Sequence, residues 1–345
     1  MAHFSDAIYQ LVSLIMSFLM SIGAIATPST TETIDIIEED TVINFVLTGD
    51  TQVCNYNPSR ETSLIAVAED LKNSSTTLDA FIIAGDVVEN GFQDEYNRVF
   101  DDIRDINAAN FIMAAGNHDI RLREYEQSSS RFVSFMNSLN IEQNAVDSLS
   151  YTYEVNGYTF IVIASDQHEF EESYISRQQL EWLNQELKKA TADGKPVFVI
   201  AHQPLAEGHG LPNTWGTQSM PGEAGRLPDY ERKDSYDYTG SIGEQSNDVY
   251  DIISRYQNVF FITGHLHTGL GQNTYQTINA ENNVQGINVP SIGIANKDGT
   301  YNNTGTGFYV EVTPDEVIFY ARDFAQGRYL TTDDFSEAVA VFPII

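Results

Sequence analysis

The sequence predicts an α/β protein, because short buried strands alternate along the chain with helical segments. Six short apolar runs recur between residues 43 and 263, and they are rich in Val, Ile and Phe, as strands buried on both faces are. Hydrophobic residues make up 42% of the 345 residues, with 19 Phe and 18 Tyr, which is typical of a globular chain. This composition excludes a disordered or collagen-like protein.

The elements follow in order along the chain. We expect strands at residues 43–47, 80–84, 110–115, 159–164, 196–201 and 258–263. We expect helices at residues 59–71, 94–106 and 176–190, with Ser59 and Ser176 as N-caps. Two alternating runs at residues 307–312 and 316–321 predict antiparallel strands. Neither a repeat nor a low-complexity linker divides the chain, so we expect a single domain over residues 38–345 with a long loop at about 203–243.

The N-terminal segment differs from the rest of the chain. Residues 7–26 carry no charge and are long enough for a secretory signal peptide or one membrane span. Ala24 and Ala26 give the small-residue pattern of a cleavage site, and residues 27–37 are a polar leader. We therefore expect residues 1–26 to be a signal peptide or membrane anchor of a secreted or cell-surface protein, the alternatives being a misread start or a buried helix.

Charge and cysteine content exclude several functions. Acidic residues number 49 and basic residues 18, so the formal net charge is −31. Binding to long nucleic acid or to an anionic membrane surface needs a basic patch, so we expect neither, and membrane contact only through the N-terminal segment. Cys54 is the single cysteine, which excludes an intramolecular disulfide and a cysteine-ligated zinc site.

Side chains of the metal-ligating types follow five of the predicted strands. They are Asp50 and Gln52; Asp86; Asn117, followed by His118 and Asp119; His202; and His265 and His267. Open α/β folds place their sites at the carboxyl ends of strands, so we expect these residues to converge. Carboxylate, imidazole and amide groups together suit Zn, Mn or Fe, and the set is large enough for two ions about 3.5–4 Å apart.

The ordered series resembles the motifs of the calcineurin-like metallophosphoesterases. The matching segments are Gly49-Asp50-Thr51-Gln52, Gly85-Asp86, Gly116-Asn117-His118-Asp119, His202 and Gly264-His265-Leu266-His267. The resemblance implies two packed mixed β-sheets flanked by helices, forming a single catalytic domain. It also implies metal-dependent hydrolysis of a phosphodiester or phosphomonoester by a hydroxide that bridges two divalent or trivalent ions, whether Mn, Fe or Zn.

The resemblance further implies a role for each matching residue. One ion would be held by Asp50, Gln52, Asp86 and His267, and the other by Asp86, Asn117, His202 and His265, with Asp86 shared. His118 would act on the phosphoryl oxygen or the leaving group without binding metal, and Asp119 would orient its ring. Such a histidine, held by a carboxylate, is chemically suited to protonate an alkoxide as it leaves.

Gln52 departs from the family pattern, which has His at this position. A glutamine amide oxygen can coordinate a cation, but it lacks the imidazole nitrogen that Zn prefers. We therefore expect Gln52 to remain a ligand and to favour a harder ion such as Mn or Fe. The alternative is a non-catalytic metal-binding surface or binding protein of the same fold, but such a protein would have no use for His118 and Asp119.

The long loop supplies the candidates for substrate contacts, His209 and Trp215. Aromatic and amide side chains together suit a sugar or nucleoside group, so we expect a small phosphorylated substrate. A nuclease would need a basic groove, which this composition does not supply.

Overall fold

Two mixed β-sheets make up the centre of the described chain, which covers residues 31–140, 145–211 and 240–345 in the computed structural model. The strands are β1 (Ile43–Thr48), β2 (Ala80–Ile83), β3 (Phe111–Met113), β4 (Tyr151–Val155), β5 (Tyr158–Val162), β6 (Val197–Ile200), β7 (Val259–Thr263), β8 (Tyr275–Asn279), β9 (Val284–Asn288), β10 (Thr306–Val312), β11 (Glu316–Asp323), β12 (Arg328–Tyr329) and β13 (Val339–Pro343). The helices are α1 (Pro58–Lys72), α2 (Gln93–Ile103), α3 (Asn117–Ile120), α4 (Tyr125–Leu139), α5 (Arg177–Ala190) and α6 (Ser246–Ile253).

The first sheet has the order β12-β11-β10-β1-β2-β3, with β13 also paired to β11, and the second has the order β4-β5-β6-β7-β9-β8. Strands β1, β2 and β3 run parallel to one another, as do β5, β6, β7 and β9. The predicted class of two packed mixed sheets flanked by helices is confirmed, and so is the antiparallel pairing of the C-terminal strands β10 and β11.

A core of aromatic and aliphatic side chains fills the space between the sheets. The Phe45 ring on β1 lies 5.4 Å from the Phe160 ring and 5.0 Å from the Phe198 ring, both of the second sheet. A second core, which includes Leu183 of α5 and Val249 of α6, covers the other face of the second sheet. Each such side chain contributes about 1.5–3 kcal/mol by leaving water, so sheet packing is strongly fixed.

Of the two predicted helix N-caps, one is confirmed and the other is wrong. The Ser176 side chain accepts a hydrogen bond from the backbone N–H of Gln179, as predicted, and caps α5. The prediction of Ser59 is wrong, because Asn57 caps α1 and its Oδ1 accepts the N–H of Ser59 at 3.3 Å. Pro58 then occupies the first turn, where a missing N–H costs nothing.

The folded unit begins before residue 38. Residues Thr33–Ile345 form one compact unit, in which Ile34 is fully buried. The buried Glu311 carboxylate accepts the backbone N–H groups of Ile37 and Glu38 at 2.7 and 2.8 Å. Residues 33–37 therefore belong to the fold, whereas the predicted signal peptide or anchor at residues 1–26 lies outside the described residues. None of the described helices combines the length and hydropathy that crossing a membrane would require.

Candidate metal centre

Two groups of side chains meet at the carboxyl ends of the parallel strands. Asp86, His202 and His265 form one group, Asp50, Asp86 and His267 form the other, and within each group the ligand atoms lie within 4.8 Å of one another. The aspartates follow β1 and β2 of the first sheet, and the histidines follow β6 and β7 of the second. The structure thus brings these predicted residues together, with Asp86 common to both groups.

Distances between the ligand atoms match those around a bound cation. His202 Nε2 lies 3.1 Å from Asp86 Oδ2, and His267 Nε2 lies 3.2 Å from Asp50 Oδ1. His265 Nδ1 lies 3.1 Å from His202 Nε2. Ligand atoms that share an ion at about 2.0–2.2 Å are themselves roughly 3–3.5 Å apart. The side chains are therefore already spaced as a coordination shell.

Two buried amide oxygens also indicate that this centre binds metal ions. Gln52 Oε1 and Asn117 Oδ1 are buried and have no hydrogen-bond partner among the described residues. The nitrogens of both amides are engaged, since Gln52 Nε2 donates to Asp86 Oδ2 at 3.1 Å and Asn117 Nδ2 donates to the Phe170 carbonyl at 2.9 Å. An unpaired buried polar atom costs about 1–3 kcal/mol, a cost that coordination of a cation would remove. The donor set therefore fits the two metal ions that the sequence predicts.

Five of the seven candidate ligand residues have a strained backbone conformation. Positive φ angles, between 41° and 71°, occur at Asp50, Gln52, Asp86, His265 and His267. A side chain with a Cβ rarely adopts this region, and each such residue costs of order 1 kcal/mol that the surrounding fold must offset. Such strain concentrates at functional sites, where the turn at a strand end must aim a side chain in one direction.

Glycines beside the ligands leave room for neighbouring side chains. A Cβ on Gly85 would lie 2.3 Å from His202 Nδ1, and one on Gly116 would lie 2.1 Å from Asp86 Oδ1. A Cβ on Gly264 would lie 2.5 Å from Asp50 Oδ2. Each distance is far below van der Waals contact, so these positions accept only glycine while the ligands keep their places.

Hydrogen bonds fix the direction in which the ligands point. His202 Nδ1 lies 3.0 Å from the Ala84 carbonyl, which accepts its hydrogen and leaves Nε2 toward the centre. The Asp50 carboxylate accepts the backbone N–H of His265 at 3.1–3.2 Å. The loops after β1 and β2 are joined by a bond from Gln52 N to the Asp86 carbonyl at 2.9 Å. The ligand loops of both sheets are thus tied to one another.

The electrostatics of the centre favour positive charge. Burial would raise the pKa of Asp86, but His202 and His118 hold that pKa well below its usual range. Burial would lower the pKa of His202, but the carboxylates of Asp86 and Asp50 raise it to about 9. Burial and the neighbouring His202 push the pKa of His265 well below its ordinary value. Buried carboxylates need a cationic partner, which a metal ion supplies.

His118 is positioned by Glu89 and not by Asp119. Its Nδ1 lies 3.0 Å from the Glu89 carbonyl and 3.2 Å from Glu89 Oε2, while Nε2 lies 3.9 Å from Asp86 Oδ2. Glu89 comes three residues after Asp86 in the same loop, and nothing in its local sequence marks it as the partner of His118. His118, together with the Arg60 cation, outweighs burial and holds the pKa of Glu89 at about 2.

The prediction that Asp119 orients the His118 ring is wrong. The Asp119 carboxylate accepts hydrogen bonds at 2.9–3.2 Å from three backbone N–H groups and one hydroxyl, namely those of Gly116, Val87, Val88 and Tyr96. Burial and the nearby charge of Asp86 raise the pKa of Asp119 to about 7. Asp119 therefore joins the loops after β2 and β3 by hydrogen bonds, and these loops carry the candidate ligands Asp86 and Asn117.

Of the two candidates for substrate contacts, His209 and Trp215, only His209 belongs to the part of the chain that the structure describes. His209 is buried, its Nδ1 lies 2.8 Å from the Asn273 carbonyl, and burial lowers its pKa to about 4. Its Nε2 lies against Gly286 of β9, 3.1 Å from where a Cβ would stand. Trp215 lies outside the described residues. Contact of either residue with substrate stays a prediction.

Solved structures share this fold. A dimetal phosphatase from Danio rerio matches with a TM-score of 0.55 and 14% identity, covering 89% of this chain and 100% of that one. A purple acid phosphatase from yellow lupin (Lupinus luteus) seeds matches with a TM-score of 0.52 and 15% identity, covering 84% of this chain and 52% of that one. At these identities the likeness shows the fold alone. A comparison with functionally curated proteins found no match.

The sequence also matches a family model, and the match includes every residue of the two ligand groups. The model describes the calcineurin-like phosphoesterases, and it aligns with residues 43–269, well over half of the 345-residue chain. The aligned region begins with β1 and ends just after His267. The chain therefore belongs to the calcineurin-like phosphoesterase family.

Proposed function

We propose that this protein hydrolyses a small phosphoester, either a phosphodiester or a phosphomonoester, with two metal ions that share Asp86. The observation that carries the proposal is the convergence of two ligand groups, from different sheets, on that one carboxylate. Family membership supports metal-dependent phosphoester hydrolysis in general. An amide oxygen from Gln52 in place of an imidazole nitrogen supports a preference of the site for Mn or Fe over Zn.

The metal ions and His118 would have different functions in the reaction. When bound, the ions would supply Lewis-acid polarisation of a phosphoryl oxygen and a water ionised at neutral pH. Asp86 Oδ1 accepts the backbone N–H of His118 at 2.9 Å, which places that ring beside the centre. Because the Nδ1 hydrogen of His118 is held by Glu89, a proton on Nε2 faces the centre and can pass to the leaving oxygen.

The proton-transfer role agrees with the charge around His118. Burial alone would lower the pKa of His118, but the carboxylates of Asp86 and Glu89 raise it above the ordinary value. The protonated ring is also a hydrogen-bond donor toward the negative phosphoryl oxygens. One residue can thus stabilise the transition state and complete the reaction.

Turnover of two chromogenic substrates tests the proposal. We expect p-nitrophenyl phosphate or bis-p-nitrophenyl phosphate to be hydrolysed with added Mn²⁺, and the activity to be lost on chelation and restored by Mn²⁺. We expect His118→Ala to lower kcat by about 10²–10⁴-fold while the metal content stays unchanged. Asn97→Ala, at an exposed position on α2, serves as the control. Metal binding without turnover by any divalent ion would instead support the non-catalytic binding protein.

We also propose that residues 1–26 direct export, either as a cleaved signal peptide or as an anchor. The support is the uncharged segment at residues 7–26, which ends in the small residues Ala24 and Ala26. Mass spectrometry of the mature N-terminus from secreted and membrane fractions tests this. A chain that stays in the cytosol with residues 1–26 intact would contradict it.

A further inference from the structure

Two arginines lie on either side of Glu89, next to the metal centre. Arg60 Nη1 is 2.5 Å from Glu89 Oε2, and Arg121 Nη2 is 3.7 Å from Glu89 Oε1. Their side chains are only 15% and 13% exposed. Arg60 also donates to the carbonyl of the predicted ligand Gln52 at 3.2 Å. A net positive patch therefore borders the centre in a chain of formal charge −31.

Arg121 has unused hydrogen-bonding capacity. Its distance to Glu89 is beyond hydrogen-bond range, its Nε is buried without a partner, and no side-chain hydrogen bond of Arg121 occurs in the described part of the chain. The guanidinium lies over the Phe170 ring, 5.1 Å from its centroid. Phe170 is 43% exposed, and its carbonyl holds the Asn117 amide, so this ring and Arg121 stand at the edge of the centre.

Glu89 does not need Arg121 for charge balance. Its carboxylate already contacts Arg60, His118 and the hydroxyl of Tyr56. The guanidinium of Arg121 is therefore an excess charge, held in place by an aromatic face. Arginine in such a position binds carboxylate or phosphate oxygens through its planar set of N–H groups.

We propose that Arg121, assisted by Arg60, binds an anionic group on the leaving-group side of the substrate, so the enzyme selects phosphoesters whose leaving group carries a carboxylate or a phosphate. Both arginines contact the Glu89 carboxylate, which lies at Nδ1 of the His118 ring, whereas Nε2 of that ring faces the ligand Asp86 at 3.9 Å. They are therefore placed to contact the leaving group, to which His118 donates its proton, and not the scissile phosphate. This inference rests on the proposed function and names a substrate class for it.

Binding of phosphonates, whose C–P bond is not hydrolysed, tests the inference without turnover. The probes are propylphosphonate, 3-phosphonopropionate and propane-1,3-bisphosphonate, which differ only at the end remote from the first phosphonate. Their Kd values are measured by calorimetry on the Mn²⁺-loaded protein. We expect one or both of the probes that carry a second anionic group to bind about tenfold or more tighter than propylphosphonate, as a charged hydrogen bond allows. Whichever probe gains affinity identifies carboxylate or phosphate as the preferred group.

Variants separate recognition from a structural role. Arg121→Ala should remove the preference and leave the Kd of propylphosphonate and the metal content unchanged. Arg104→Ala, whose side chain is 52% exposed at the end of α2, should change nothing. Equal affinities for the three probes in the wild type would overturn the inference, as would an equal loss for all three in Arg121→Ala. Because no hydrolysis is needed, failure of the proposed function would appear separately, as absent turnover of the nitrophenyl esters.

Discussion

His202 Nε2 lies 3.1 Å from Asp86 Oδ2, although the two residues belong to different sheets. Asp86 follows β2 of the first sheet and His202 follows β6 of the second, 116 positions further along the chain. The centre therefore exists only when the sheets are packed on one another. Metal binding and folding are consequently coupled, so bound metal should stabilise the folded chain.

Gln52→Ala tests whether the amide oxygen holds a cation. Loss of even an outer-shell partner lowers metal affinity 10- to 100-fold, so we expect at least that loss at one of two positions. The other ion should bind as before, because its ligands Asn117, His202 and His265 are intact. Titration of the metal-free variant with Mn²⁺, read by calorimetry, checks this. Two unchanged binding steps would show that Gln52 is not a ligand.

Glu89→Gln tests which carboxylate positions His118. We expect kcat to fall roughly 10- to 100-fold, a part of the 10²–10⁴-fold that general acid catalysis contributes, with metal content unchanged. Asp119→Ala should instead lower the free energy of unfolding by about 1–3 kcal/mol, because buried N–H groups lose their acceptor. Steady-state kinetics and urea unfolding of both variants separate the two roles. Full kcat in Glu89→Gln would show that the Glu89 carboxylate is not needed and that the backbone carbonyl of residue 89 is sufficient to orient the ring.

Gly116→Ala tests the close approach that the ligand Asp86 requires. Gly116 has a φ of −96°, which alanine adopts freely, so the backbone itself adds no strain. The new Cβ would lie 2.1 Å from Asp86 Oδ1, and displacing that carboxylate should cost about 1–3 kcal/mol and reduce the bound metal. Gly49→Ala, whose Cβ would be 3.7 Å from the nearest atom, is the matched control. Equal metal content in both variants would contradict the expectation.

Asp102 gives a prediction about stability away from the centre. Burial and the charge of Glu61 raise the pKa of Asp102 to about 6, and its Oδ2 is buried without a hydrogen-bond partner in the described chain. The folded state binds the proton of the Asp102 carboxyl group more tightly than the unfolded chain does. The ionised carboxylate therefore destabilises the fold above about pH 6, and this destabilisation disappears below about pH 4, where the group is protonated in both states. Near pH 8, Asp102→Asn should raise the free energy of unfolding by up to about 1 kcal/mol, after allowance for solvent screening.

A matched exposed position controls for the loss of charge. Asp101, the neighbour on α2, has a side chain 66% exposed. Asp101→Asn should change the free energy of unfolding by less than about 0.5 kcal/mol at either pH. Urea unfolding near pH 8 and near pH 4 checks both variants. A gain in Asp102→Asn that persists unchanged near pH 4 would contradict the assigned cause.

The sequence pattern was sufficient for eight of the thirteen strands in the described chain and for the convergence of the candidate metal-ligating residues. A strand buried on both faces is a local apolar run, and Asp50, Asp86 and His202 each follow directly on such a run, so position in the chain implied position at the sheet edge. The pattern could not show that Ile34 is buried, because its contacts come from distant parts of the chain.

The partner of His118 was also beyond local reasoning. Asp119 is adjacent in sequence, but neighbouring residues at the start of a helix point in different directions, and its carboxylate meets backbone N–H groups. Glu89 reaches His118 because the loops after β2 and β3 run side by side, a relationship set by the pairing of those strands. Arg121 is likewise defined by what surrounds it, the Phe170 ring and Glu89, and not by any spacing.

Anomalous diffraction from crystals loaded with Mn²⁺ decides whether Asp86 serves two ions at once. We expect two peaks about 3.5–4 Å apart, both in contact with Asp86, one also reached by Asp50, Gln52 and His267 and the other by Asn117, His202 and His265. A single peak, or peaks that leave Asp86 or Gln52 uncoordinated, would contradict the dinuclear centre.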